Sequence, residues 1–132
     1  MRKLIRRSLV AAMLLMLVAP AWAAPTAIDA RAANELIQKN QAVLVDVREA
    51  GEVAQGMAAP AQWLPLSKIE ADASALKEFL ARQPKSATLI FYCGSGRRAG
   101  KVATLAEAAG YKSVNMGGFK DWVSAGLPTR RP

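Results

Sequence analysis

Thr88-Leu89-Ile90-Phe91-Tyr92-Cys93-Gly94-Ser95-Gly96-Arg97-Arg98-Ala99-Gly100 reads as a strand that runs straight into a glycine-punctuated turn and then a helix. Thr88 to Tyr92 is the clearest strand in the sequence. From about Ala99 to Ala109 the alanines, Val102 and Leu105 suit a closely packed helix, which Gly110 ends as a left-handed cap. In open α/β sheets, ligands bind beyond the carboxyl ends of the strands, where loops turn into helices. Cys93 falls there by its position alone.

Outward from this unit, short β-like runs alternate with helix-like segments, the pattern of an α/β sheet with helices on its faces. On the N-terminal side, Asp29 can cap a helix from Ala30 to about Lys39, and Ala42-Val43-Leu44-Val45 is a second buried strand, ending at Asp46-Val47-Arg48-Glu49. One or two helical turns from Glu49 to Gln55 stop at Gly56, and Trp63-Leu64-Pro65-Leu66 is a short strand whose proline implies an edge or terminal position. Ser67, with Glu70 three residues on, predicts a capping box opening one helix that runs to about Arg82. On the C-terminal side, Ser113-Val114-Asn115 is a last short strand and Phe119 to Ala125 a last short helix, with Trp122 as a core residue that docks it.

The loop after Cys93 carries the chemistry. Glycines at 94 and 96 let the backbone curl so that successive N–H groups converge on one anion. Arg97 and Arg98 add positive charge, and the following helix directs the positive end of its dipole at the same spot. Such surroundings favour a thiolate over a thiol, so a nucleophile can be prepared without a histidine base. The chain has no histidine and only one cysteine, so zinc, haem and iron–sulfur sites lose their usual ligands. Neither a metal nor another cofactor is expected.

The N-terminus has a different character. Arg2, Lys3, Arg6 and Arg7 precede the apolar run Leu9 to Val18, and Ala21-Trp22-Ala23 offers small residues at alternate positions. This is the pattern of a cleavable signal peptide over residues 1–23, which leaves residues 24–132 as one mature domain in the periplasm or secreted. The apolar run is shorter than the roughly 20 residues a spanning helix needs, so no lasting membrane insertion is expected after processing. Without the leader, 14 basic residues face 10 acidic ones, a net charge of +4 in place of the full chain's +8. The remaining cations are scattered, without aromatic interleaving, which argues against nucleic-acid binding. A lone cysteine cannot form an internal disulfide, so Cys93 is expected to be free even in an oxidising compartment.

Three segments together resemble the rhodanese-like domains. Cys93-Gly94-Ser95-Gly96-Arg97-Arg98-Ala99 is similar to that family's Cys-Arg-Ser-Gly-x-Arg-Ser active-site loop, and Asp46-Val47-Arg48-Glu49 with Glu52 to its Asp-Val-Arg-Glu signature. Gly117-Gly118-Phe119, Trp122 and Gly126-Leu127-Pro128 resemble its C-terminal segment. The resemblance departs from the pattern at Gly94, where arginine is frequent, at Ala99, which replaces a serine, and at Gly56-Met57, where Gly-His is common.

The resemblance implies a single rhodanese-like domain with a central parallel five-stranded sheet flanked by helices on both faces. It also implies a sulfur transfer in which Cys93 is the nucleophile and carries a persulfide. Thiosulfate or a similar small anion would be the donor, and a thiol or cyanide the acceptor. The amides of Gly94, Ser95, Gly96, Arg97 and Arg98 would hold the outer sulfur, with Arg97 either guiding the donor at the mouth or simply solvated. Asp46 and Arg48 would organise neighbouring loops, with Glu52 a candidate ion partner for Arg48. A persulfide carrier or sensor serving a sulfur-relay protein partner would use the same residues, whereas Cys93 in the loop argues against a silent interaction module, which the family also contains. A cysteine phosphatase has five residues between its cysteine and arginine, whereas four separate Cys93 from Arg98, so the loop suits a smaller centre than a phosphoryl group.

Overall fold

The computed structural model describes residues 25–132. The expected signal peptide, residues 1–23, lies outside the described residues. Helix α1, Ala30–Gln38, is capped as expected by Asp29, whose carboxylate accepts the Ala32 N–H at 2.8 Å. Strand β1, Ala42–Asp46, leads to the short helix α2, Ala50–Val53, and then to two brief strands, β2, Met57–Ala58, and β3, Gln62–Trp63. Helices α3, Leu66–Ala71, and α4, Ala73–Ala81, precede strand β4, Thr88–Cys93. Helix α5, Arg97–Ala108, strand β5, Ser113–Gly118, helix α6, Phe119–Ser124, and strand β6, Thr129–Arg130, complete the order.

The central sheet is parallel with the order β3-β1-β4-β5, and β2 and β6 form a separate antiparallel pair. It therefore has four strands where five were expected. The fifth row shrinks to a single parallel bridge between Ala27 and Asn115, held by Asn115 N–H to Thr26 O at 3.0 Å and Ile28 N–H to Asn115 O at 2.9 Å. Pro25, which has no N–H to donate, and Asp29, already engaged as the α1 cap, bound this row and leave no length for a strand.

Strand residues alternate between two cores, as a sheet buried on both faces requires. Val45, Val47, Leu89, Phe91 and Cys93 pack with Leu76, Phe79 and Leu80 of α4 and Val102, Ala103 and Ala106 of α5. Leu44, Ile90 and Tyr92 face the other way, against Ala33 of α1 and Trp122 of α6. Trp122 is fully buried, and its indole N–H donates to the Pro128 carbonyl at 2.8 Å, so α6 and the C-terminal segment dock together.

The expected helix from Ser67 to Arg82 is two helices. Leu66 is drawn into the core with its N–H on the Val47 carbonyl at 3.0 Å, so Pro65 is the N-cap and Ser67 lies inside α3. The Ser67 hydroxyl turns to Glu49, and Glu70 pairs with Lys101 at 2.7 Å in place of closing a capping box. Asp72 breaks the helix because its carboxylate accepts from the Ser74 N–H at 2.9 Å and the Ser74 hydroxyl at 2.8 Å, which starts α4 afresh.

Candidate active site

Cys93 is the last residue of β4, and only 1% of it is exposed. Its Sγ accepts the Gly96 N–H at 3.0 Å and the Ala99 N–H at 3.5 Å. Gly96 makes this possible. At φ +98° it adopts the left-handed conformation that glycine tolerates, and a Cβ there would sit 3.2 Å from the Gly117 Cα. The left-handed residue carries the chain directly into α5, so the helix begins at Arg97 rather than near Ala99. The Ala99 N–H is then one of the first-turn donors that no helix carbonyl can satisfy, and it faces the sulfur. The sulfur thus lies at the positive end of a 12-residue helix.

The two arginines have different fates. Arg98 donates to both oxygens of Glu52, Nη1 to Oε1 at 2.6 Å and Nη2 to Oε2 at 2.8 Å. This fork-on-fork contact holds the Glu52 carboxyl down to about 2 and raises Arg98 above the ordinary arginine value, with the Cys93 sulfur acting on Arg98 in the same direction. Arg97 is exposed at the start of the helix, beside exposed Ser95. A Cβ on Gly94 would come within 3.2 Å of Arg98 Nη2 and 3.6 Å of Glu52 Oε2, so the bare glycine leaves room for the ion pair against the loop.

Asp46 and Arg48 do not meet Glu52, which corrects the pairing expected from sequence. Arg48 donates to the two oxygens of buried Asp46, Nε to Oδ1 at 3.0 Å and Nη2 to Oδ2 at 2.7 Å, and also to the Gly56 carbonyl at 2.7 Å. Its guanidinium carbon lies 4.3 Å from the Phe119 ring centroid and 5.6 Å from that of Tyr92. The Tyr92 hydroxyl accepts the Ala58 N–H at 3.0 Å, and burial first, then its contact with Asp46, pushes the phenol well above its usual range. This buried group ties the end of β1, the turn at Gly56 and the start of α6 together.

Two site residues escaped the sequence. Asn115 donates from Nδ2 to the Gly96 carbonyl at 2.8 Å and accepts the Gly117 N–H on Oδ1 at 2.9 Å. Gly118 pairs in register with Cys93, and a Cβ on it would be driven into the Gly94 carbonyl oxygen. The signal for Asn115 was present, a polar amide between Val114 and Met116, two residues before a pair of glycines.

The domain is a parallel α/β sheet whose one thiol sits at a strand's carboxyl end, facing the N-terminus of the following helix and two backbone N–H groups, an arrangement that suits an anion. The rhodanese-like domain pattern matches residues 29–125. A sulfurtransferase of Allochromatium vinosum is 33% identical over 101 residues, 75% of this chain and 88% of that protein. The thiosulfate:glutathione sulfurtransferase of Saccharomyces cerevisiae is 39% identical over 93 residues, 64% of this chain and 66% of the yeast protein. A human single-domain sulfurtransferase has a similar structure, with a TM-score of 0.61 and 27% identity over 77% of this chain and 97% of the human one. The chain belongs to the rhodanese-like domain family, and its sulfurtransferase relatives support a general role in sulfur transfer.

Proposed function

We propose that this protein moves sulfane sulfur from thiosulfate, or a similar donor, to a thiol or cyanide through a persulfide on Cys93. The observation that carries the proposal is the pair of N–H groups, Gly96 and Ala99, directed at the Cys93 sulfur. They stabilise negative charge on sulfur without a general base, and this chain has no histidine to serve as one.

In the first step the Cys93 thiolate attacks the outer sulfur of thiosulfate. A new S–S bond forms, the old one breaks, and sulfite leaves with its electron pair, so the negative charge ends on the persulfide. On this reading the amides of Gly94 to Arg98 receive the outer sulfur, beside the Gly96 and Ala99 N–H groups already directed at Cys93. In the second step an acceptor thiolate or cyanide attacks that outer sulfur and the Cys93 thiolate is restored, which makes the kinetics ping-pong. Arg98 is neutralised by Glu52, so Arg97 is the loop cation left to attract a doubly charged donor. The glutathione in the yeast relative's name supports a small thiol as acceptor.

The proposal includes export. The leader pattern over residues 1–23 supports a periplasmic or secreted mature chain, and N-terminal sequencing of the native protein should begin at Ala24.

Intact-mass spectrometry tests the central claim. Exposure to thiosulfate should add about 32 Da, one sulfur atom on the thiol, and Cys93→Ala should add none. Absence of the adduct in the intact protein would reject the mechanism. Formation of the adduct with no thiocyanate from added cyanide would instead identify a persulfide carrier that delivers its sulfur to a protein partner.

A further inference from the structure

We propose that Asn115 is a positioning residue for the sulfur cradle, acting through the Gly96 peptide rather than on sulfur itself. The inference rests on the sulfur-transfer reading but concerns how the cradle keeps its shape.

Gly96 contributes to the cradle through its N–H, which reaches the Cys93 sulfur at 3.0 Å. Its carbonyl accepts two hydrogen bonds, from the Asn115 side chain at 2.8 Å and from the Gly100 N–H at 2.9 Å. The second is an ordinary first bond of a helix. The first comes from a different strand and fixes the plane of the peptide between Gly96 and Arg97. With that peptide held, the Arg97 N–H on its opposite side is fixed in direction as well. A left-handed glycine has an open choice of conformations, and here the Asn115 amide restricts it.

The other half of the same amide accepts the Gly117 N–H at 2.9 Å. Gly117 lies where the β4–β5 register shifts, at φ +92°, and the shift brings Gly118 opposite Cys93. One planar group therefore ties together the loop and the strand end that enclose the sulfur. A carbonyl can only accept and an amide N–H can only donate, so the position needs one donor and one acceptor on a single short side chain. Asparagine supplies both. Aspartate has the same shape but offers no donor to the Gly96 carbonyl and sets a negative charge behind the cradle. Asn115 is itself held by backbone bonds to Thr26 and Ile28, so its reach is set by the sheet.

The experiment compares wild type with Asn115→Asp, Asn115→Ala and Asn115→Ser in two assays: the pH profile of Cys93 alkylation by iodoacetamide, and the rate of sulfur loading from thiosulfate by intact mass. Thermal melts report folding. In folded Asn115→Asp the alkylation midpoint should move up by about one pH unit and loading should slow about tenfold, with Asn115→Ala intermediate and Asn115→Ser nearest wild type. A merely structural role would lower the melting temperature and leave the midpoint of the folded protein unchanged, and that result would overturn the proposal. Loss of folding in all three variants would also overturn it, since Asn115 would then be a requirement of the sheet. If wild type fails to load sulfur, the sulfur-transfer reading falls, while the alkylation profile still decides the role of Asn115.

Discussion

Glu52 and Arg98 lie 46 positions apart in sequence, yet the carboxylate of one meets the guanidinium of the other through two hydrogen bonds, at 2.6 and 2.8 Å. The contact joins α2 to the first turn of α5, the turn that faces the Cys93 sulfur. It also pairs Arg98 with a carboxylate, whereas Arg97 stays exposed at the start of α5.

The first prediction follows from the ionisation of this pair. Folding lowers the Glu52 carboxyl to about 2, so its contribution to stability is complete above the ordinary carboxylate range and is lost as pH falls through that range toward about 2. Melting temperatures of wild type should fall more steeply than those of Glu52→Gln between about pH 5 and pH 2. The side chains are 31% and 39% exposed, so solvent screening keeps the effect modest. Parallel curves for the two proteins would contradict the assignment.

Arg97 should behave as a steering charge. Arg97→Ala is expected to leave the melting temperature unchanged and to slow sulfur loading from thiosulfate about three- to tenfold at low ionic strength. The difference should shrink above about 0.5 M salt, where screening acts within a few ångströms. Stopped-flow loading at several salt concentrations checks this, and a deficit independent of salt would point to a contact other than steering.

Gly118→Ala should be disruptive out of proportion to one methyl group. The new Cβ meets the Gly94 carbonyl, which is backbone, so either the loop or the strand end must move. Overpacking of this kind costs about 1–3 kcal/mol, measurable by urea denaturation, and sulfur loading per folded molecule should fall with it. Gly51→Ala, with open space around the glycine, should do neither and serves as the control.

Asp46→Ala leaves Arg48 charged and buried, 5% exposed, without its carboxylate. Removing one partner of a buried pair costs about 3–5 kcal/mol, so this variant should be the least stable of the set in urea. Neither side chain hydrogen-bonds the sulfur, so the folded fraction at low temperature should load sulfur at close to the wild-type rate. A stable but inactive variant would place Asp46 in the chemistry instead.

Local sequence determined most of the sulfur site: a short strand-forming run, a lone thiol at its end, two glycines just after it that permit a curl, and a helix start close behind. Trp122 as core and Asp29 as cap follow from equally local physics, since hydrophobicity and hydrogen bonds to near neighbours act within a few residues. Tertiary structure decided the rest. Sequence suggested Arg48 as the partner of Glu52, and only the folded chain, which brings the Glu52 carboxylate to the first turn of α5, selects Arg98. Asn115 looked like an ordinary strand residue until the sheet laid β5 beside β4 and set its amide between Gly96 and Gly117. Charges and amides choose partners by distance in space, a quantity that chain order does not carry, and so the partners of Glu52 and Asn115 emerged only once the chain was folded.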